Sequence, residues 1–431
     1  MPLMRVGRNI SKLILMMAIL LRAVIFLFLH PTNNDNHAEV VRYFVQHGRF
    51  PTLWDTLEAQ HPPLYYLLCV PFWKWTESDK GMQVLSLICS IVTLLVLYHF
   101  IYNTPLIENA RARLYAWLVV CFLPQFVMFN LYVSNDTLTI LLGTVSILQA
   151  WRYIRSKRRL DLVLLGVVIV LGLLTKLMFV AYLPVFAAVV FVVEGRSRRA
   201  FAVAALFFAL TFIGGSYKLV DNYFRLGDPL ANGNDMRFHY MNIHSHARTY
   251  RGIWSYIDVN IFKLIKEPVL SDATSGSLPS VLYGTFWYQY IPESNFIGNR
   301  SRPTMYIGSA IYIAALLPTL IFILGWARSL KPAKLDGVPL ATCMSAWLIL
   351  FTGLMFLPAE LKHHIWSQAQ GRYLFPVIAG GAAVFAPGID IADRSPLLRR
   401  LLAICMLLLV ALFLFYFANE CWYWLEKSRH A

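Results

Sequence analysis

The stretch Leu13–Glu39, LILMMAILLRAVIFLFLHPTNNDNHAE, changes character at His30. Its first part is an apolar run close to the length that crosses a bilayer, broken by a single charge at Arg22. Its second part sets down Asp35, His37 and Glu39 at near-helical spacing. A chain that leaves oil and at once places two acids and a histidine either makes a solvated loop or lines a site. The rest of the sequence decides which. Of 431 residues, 58% are hydrophobic and 14% charged, whereas soluble domains carry about 25% charged residues. Apolar runs recur at 13–30, 81–100, 114–132, 136–153, 160–175, 177–193, 200–219, 304–326, 339–358, 371–387 and 399–417. They do not alternate in polarity, so a barrel is excluded. The expected fold is an all-α polytopic membrane protein, a bundle of about eleven spans.

The net charge of +15 does not point to nucleic acid. The basic residues lie in short segments between apolar runs, where the positive-inside rule puts them. With the N-terminus inside, segments 1–12, 101–113, 152–160, 194–200, 327–338 and 389–400 carry three, two, five, three, three and three Lys or Arg. The short apolar segment HPPLYYLLCVPFWKW (61–75), bracketed by prolines, then reads as an interfacial or re-entrant helix. Were it a span, every later loop would change sides and the charge bias would invert. Cys69, Cys89, Cys121, Cys343, Cys405 and Cys421 form no CxxC pair and read as small core residues. The first run has no small-residue cleavage site after it and reads as a signal anchor. The resulting organisation is an N-terminal membrane module, 1–219, with a first outer loop at 31–80. A large outer loop follows at 220–303, then a C-terminal membrane module at 304–431. No internal repeat is visible.

This topology sorts the polar residues. Asp35, His37 and Glu39 fall just outside span 1, and His61 opens the interfacial helix. Asn135 and Asp136 of YVSNDTL, Lys176 of LLTKLMF and Arg372 of AQGRYLFP fall at outer span ends. Acids, histidines and two cations from distant spans therefore share one membrane face, where ionisable groups tend to be functional. A carboxylate there can take a proton from an attacking hydroxyl. Lys and Arg can hold a phosphate and stabilise it as it leaves. Plainer roles stand beside these. Asn34 or Asp35 could cap the helix at 37–47, Glu39 could pair with Arg42 or Tyr43, Asn135 or Asp136 could cap span 4, and Lys176 could snorkel. Arg22 either faces a cavity or marks a wrong register. His239, His244 and His246 lack metal-ligand spacing. The aromatics of YGTFWYQYIP (283–292) read as an interfacial belt, with stacking on a sugar as a further role.

An acid soon after span 1, the amphipathic RYFVQHGRFP, HPPLYYLL, SNDTL and QGRYLFP, in this order and on one side, resemble the GT-C glycosyltransferases that use polyprenyl-phosphate sugars. Within them the pattern is similar to the lipid A aminoarabinose transferases and the protein O-mannosyltransferases. It covers residues 1–150 and recurs at 370–376. The resemblance implies an inverting transfer from a polyprenyl-phosphate-linked sugar to a lipid, glycan or protein acceptor at the outer face of the cell (inner) membrane, with a cytoplasmic N-terminus and a periplasmic or exterior site. It implies Asp35 as base and Lys176 and Arg372 as lipid-phosphate ligands. Glu39, His37, His61, Asn135 and Asp136 would contact sugar or acceptor. Many relatives carry adjacent Asp-Glu where this chain has Asp35-Asn36. No cofactor is required by these motifs, and the question of a divalent metal stays open. Three rivals share parts of the pattern: a flippase for lipid-linked glycans, a non-catalytic subunit of the same fold, and an oligosaccharide ligase.

Overall fold

The computed structural model describes residues 2–32, 35–231, 257–259, 261–266, 268, 277–288, 302–331, 337–355 and 370–430. Most of the expected outer loop 220–303, with His239, His244 and His246, lies outside them. Among the described residues the structure is helical, with no strand. Seven segments are long and apolar enough to cross a membrane: Asn9–Phe28, Asp79–Asn103, Arg198–Gly215, Met305–Ser329, Gly337–Leu354, Gly371–Ala392 and Pro396–Glu426. Each coincides with an expected span. The other four expected spans fall on helices that are shorter, broken or more polar.

The break in one of them has a plain cause. Helix α5 (Ala110–Phe122) stops before Pro124, which opens α6 (Pro124–Phe129). Proline has no N–H, so the carbonyl four residues back loses its partner. Arg22, in α1 (Pro2–Phe28), supplies the substitute. Its guanidinium donates to Val120 O at 3.3 Å and Cys121 O at 3.0 Å, and also to Ser90 Oγ at 3.0 Å and Ala18 O at 3.2 Å. Arg22 is fully buried on these partners, and its role is structural: a cation at a helix C-terminus, where the dipole favours it.

Helix starts follow local capping rules. Ser78 caps α4 (Asp79–Asn103), Asn109 caps α5, and Ser134 caps α7 (Asn135–Ser156). Each side chain accepts from a backbone N–H that the first turn leaves unpaired. Between α1 and α4 lie α2 (His37–His47), a 3-10 turn at Leu57–Gln60, and α3 (Leu64–Thr76). At 13 residues α3 is too short to cross a bilayer, as the charge count required. It packs on α2 and α4.

Helix α8 (Arg159–Leu173) packs on α7, and a 3-10 turn, Leu177–Ala181, leads into α9 (Tyr182–Val193). Then follow α10 (Arg198–Gly215), α11 (Tyr217–Leu226), α12 (Ile261–Lys266) and α13 (Leu278–Trp287). After them come α14 (Arg302–Ser329), α15 (Gly337–Leu354), a 3-10 turn at Gly371–Val377, α16 (Ile378–Ala392) and α17 (Pro396–His430). α14 packs on α16 and α17, and α16 also touches α5 and α7. Leu20, Leu27, Phe201 and Leu407 point outward, as lipid-facing residues do. The aromatics expected as a belt at 283–292 are instead core through Tyr288. Tyr283, Trp287 and Tyr288 are buried, and Trp287 Nε1 donates to Thr319 Oγ1 at 2.8 Å. The polar edges find partners inside, which removes the need for an interface.

Candidate active site

Three ties to backbone carbonyls bring distant segments together. Lys80 donates to the carbonyls of Phe26 and Leu29, the latter at 3.0 Å, and so closes the C-terminal end of α1. Val133 N donates to Pro31 O at 2.8 Å, which holds the loop after α1 beside the start of α7. Leu64 N donates to Leu174 O at 3.0 Å, which sets the start of α3 beside the end of α8. The turn carrying Arg372 is seated by Gly143 of α7. A Cβ there would lie 2.7 Å from Pro376 Cβ and would also strike the Pro376 carbonyl. Only glycine permits that approach.

The side chains then meet. Arg372 Nη1 donates to Asp35 Oδ2 at 2.7 Å and lies 3.7 Å from Asp136 Oδ2. Lys176 Nζ donates to Asp136 Oδ1. Tyr373 lies under both cations, its ring centre 4.8 Å from Lys176 Nζ and 5.2 Å from Arg372 Cζ. Phe129 covers Arg372 from another side at 4.7 Å. Asp136, Lys176 and Arg372 are under 10% exposed, whereas Asp35 keeps 34% of its side chain exposed. Asp35 is therefore the member of the quartet that a ligand can reach. Burial alone would raise its pKa. The charges of Arg372, His37 and Lys176 outweigh that and hold it down at about 2.

A second group adjoins this quartet. Glu58 Oε2 lies 3.6 Å from His37 Nδ1 and 3.5 Å from His61 Nε2. His37 Nδ1 also meets the Tyr66 hydroxyl at 2.8 Å, and that hydroxyl donates to Glu58 O at 3.3 Å. Burial pushes the His37 pKa down to about 4 against the pull of Asp35 and Asp136. His61 is lowered as well, by burial first and then by Lys176 and His37. Both imidazoles are thus neutral at neutral pH.

Of the residues singled out in the sequence, Asp35, Asp136, Lys176 and Arg372 form one contiguous cluster, with His37 and His61 beside it. Asn135 is buried next to Asp136, and its Nδ2 donates to Thr175 O at 3.4 Å. The cap of α7 is Ser134, not Asn135 or Asp136. Glu39 stands apart. It is exposed and accepts from Thr56 Oγ1 at 3.1 Å. Its expected helix-face partners are engaged elsewhere, Arg42 with Asp79 and Tyr43 with Asp55, both at 2.8 Å. Glu58, Tyr66, Phe129 and Tyr373 join the site without having been singled out. For Glu58 the signal was present in its spacing of three from His61.

Chemically, the quartet is two buried cations balanced by two acids. Its two cations suit an anion that displaces the carboxylates, and one acid, Asp35, is partly exposed.

Residues 60–215, about a third of the chain, match the family model described as dolichyl-phosphate-mannose-protein mannosyltransferase. No curated protein matches. Among solved structures, the chain is similar to the archaeal oligosaccharyltransferase AglB from Archaeoglobus fulgidus, in complex with an inhibitory peptide and a dolichol-phosphate. Identity is 11%, with 96% of this chain and 56% of that chain covered and a TM-score of 0.51. It also matches ArnT from Cupriavidus metallidurans in the apo state, at 14% identity over 90% of this chain and 80% of that one, with a TM-score of 0.40. Arabinosyltransferase EmbB from Mycobacterium smegmatis matches at 12% identity over 88% and 41%, with a TM-score of 0.42. The chain thus has a GT-C-like fold, integral to a membrane, and over residues 60–215 it is similar to glycosyltransferases that take their sugar from a polyprenyl phosphate.

Proposed function

We propose that this chain is an inverting glycosyltransferase. It moves a sugar from a polyprenyl-phosphate donor to an acceptor at the outer face of the cell membrane, with the N-terminus in the cytoplasm. The observation that carries this reading is the quartet Asp35–Arg372–Asp136–Lys176, assembled from four segments of the chain beside a family match that spans two of its members.

In the resting chain both cations are occupied by carboxylates. A donor phosphate competes for them, Arg372 as a two-pronged donor and Lys176 as a point charge. Arg372 then turns from Asp35 to the phosphate. That exchange does two things at once. It holds the leaving group, and it returns basicity to Asp35, because the charge that depressed its pKa has been shared out. The acceptor hydroxyl oxygen attacks the anomeric carbon from the side opposite the phosphate. The carbon–oxygen bond to the phosphate breaks, and the polyprenyl phosphate leaves with the electron pair. The hydroxyl proton passes to Asp35. A single displacement inverts the sugar carbon. Asp136 stays behind, stabilised at the N-terminus of α7, and keeps Lys176 in place. Asn135, His37 and His61 border the same space and would contact sugar or acceptor, and the outer loop 220–303 would help choose the acceptor.

The test is photo-crosslinking with a polyprenyl phosphate that carries a reactive group beside the phosphate, followed by peptide mapping. Labels on peptides containing Lys176 or Arg372 are expected. Labelling confined to segments at the other ends of α7 and α16 would contradict the reading.

A further inference from the structure

We propose that His37, Glu58 and His61 bind one divalent transition-metal ion beside the charged quartet. Among the described residues, these three offer ligand atoms that all lie within 4.8 Å of one another. Glu58 Oε2 sits at the centre, 3.6 Å from His37 Nδ1 and 3.5 Å from His61 Nε2. Those separations are too long for charge-assisted hydrogen bonds, which close to about 2.7–2.9 Å. They are close to the roughly 3.3–3.5 Å between ligand atoms that share a tetrahedral ion at bond lengths near 2.0–2.1 Å. Neither histidine is therefore well used as a donor to Glu58, whereas both are well placed as its fellow ligands.

The local fold supports the same reading. His37 is the first residue of α2, and Glu58 and His61 sit in and just after the 3-10 turn Leu57–Gln60. Pro62 and Pro63 stiffen the chain directly behind His61. The side chains are 2%, 11% and 17% exposed for His37, Glu58 and His61, so the trio is enclosed with access from the His61 side. The Tyr66 hydroxyl lies at His37 Nδ1, the nitrogen that faces Glu58, and donates to the Glu58 carbonyl. On metal binding Nδ1 exchanges its Tyr66 contact for the ion, the imidazole carries its N–H on Nε2, and the Tyr66 hydroxyl keeps its bond to Glu58 O. Two imidazoles and one carboxylate suit zinc, cobalt, manganese or iron and not magnesium or calcium. Three protein ligands leave a fourth position for water.

The test uses tag-free, full-length protein in detergent, stripped with a chelator and titrated with Co2+ alone and then with Zn2+ alone. Metal content is read by mass spectrometry after desalting, and the Co2+ site by its visible absorption. One equivalent per chain is expected, with the absorption of an imidazole- and carboxylate-bound low-symmetry site. His61→Gln and Glu58→Gln should each weaken Co2+ binding by at least about 10-fold, by analogy with the losses seen for metal-site substitutions. His47→Gln, on the exposed end of α2, should leave it unchanged. Less than about a tenth of an equivalent in the parent protein would overturn the site whatever the variants do. So would unchanged binding in both ligand variants. Metal binding without sugar transfer would retain the site and count against the transfer reading alone. Transfer by stripped protein that takes up no metal would do the reverse.

Discussion

The guanidinium of Arg372 donates to the carboxylate of Asp35 at 2.7 Å, across 337 positions of sequence. The bond closes the site from opposite ends of the chain. In the resting protein it also keeps the acid a weak base. Asp35 in a free loop would titrate near 3.8, but beside Arg372 it is held at about 2.

The pair should be energetically coupled. Arg372→Gln leaves Asp35 and Asp136 facing each other without the guanidinium that bridges them. Breaking a buried ion pair costs roughly 3–5 kcal/mol, and the partial exposure of Asp35 puts this case at the low end. In a double-mutant cycle with Asp35→Asn, measured by thermal unfolding, the second substitution should recover about 0.5–3 kcal/mol of the loss. Strict additivity would mean that the contact carries no energy. Arg372→Lys should fold but bind polyprenyl phosphate more weakly, since it lacks the fork.

Arg22 should matter for stability and not for chemistry. Arg22→Met leaves the carbonyls of Val120 and Cys121 buried and unpaired above Pro124. Each orphaned group costs about 1–3 kcal/mol. The unfolding midpoint should fall, while donor affinity of the folded fraction stays within about 2-fold, as expected for a site outside the binding cluster. Loss of donor affinity at full stability would place Arg22 in the site instead.

Gly143 controls where Arg372 sits. Gly143→Val pushes Pro376 off α7 and with it the turn that carries Arg372. Because the clash is with backbone, it cannot relax by rotamer change. Polyprenyl-phosphate affinity should drop by 10-fold or more, on the order of the 1–3 kcal/mol that overpacking costs. Gly381→Ala is the control, since a Cβ there meets only Phe322, at an ordinary 3.7 Å.

The loop after α2 should open in acid. Asp55 accepts from Thr52 N at 2.7 Å, Thr52 Oγ1 at 2.9 Å, Tyr43 OH at 2.8 Å and Arg49 Nη1 at 3.3 Å. Burial would raise its pKa, but these donors bring it down to about 2 from 3.8. A depressed carboxylate stabilises the fold above its unfolded pKa and loses that contribution as pH falls through the folded value. Hydrogen exchange at the Thr52 amide should therefore be slow above pH ~4 and lose its protection toward pH ~2. Asp55→Asn should show the acid behaviour at neutral pH. Equal protection in the two proteins would rule out the loop anchor.

Much of the membrane architecture is visible in periodicity and charge, because lipid imposes simple rules on both. Seven expected spans coincide with long apolar helices, and the short helix α3 answers to its prolines. Four spans are less regular, for reasons that local hydropathy does not carry. Pro124 splits one of them, and the polar face of α7 turns inward to the site. Asp35, Asp136, Lys176 and Arg372 could be grouped because each ends an apolar run on one side. Glu58 shows only through its spacing of three from His61, and Tyr66 not at all, since the pairing of a 3-10 turn with α3 has no hydrophobic period. The aromatics at 283–288 are core although their sequence reads as a belt, because an aromatic run looks the same in both.

The central claim is that Asp35 takes the acceptor proton while Arg372 and Lys176 hold the lipid phosphate. Asp35→Asn preserves shape and removes the base. Transfer of labelled sugar from a polyprenyl-phosphate donor should be measured beside donor affinity, in the same reconstituted vesicles. The account predicts that transfer falls by about 10²–10⁴-fold, the range for loss of a general base. Donor affinity should hold or improve, because a competitor for Arg372 is gone. Transfer within a few-fold of the parent, at matched folding and donor occupancy, would contradict it.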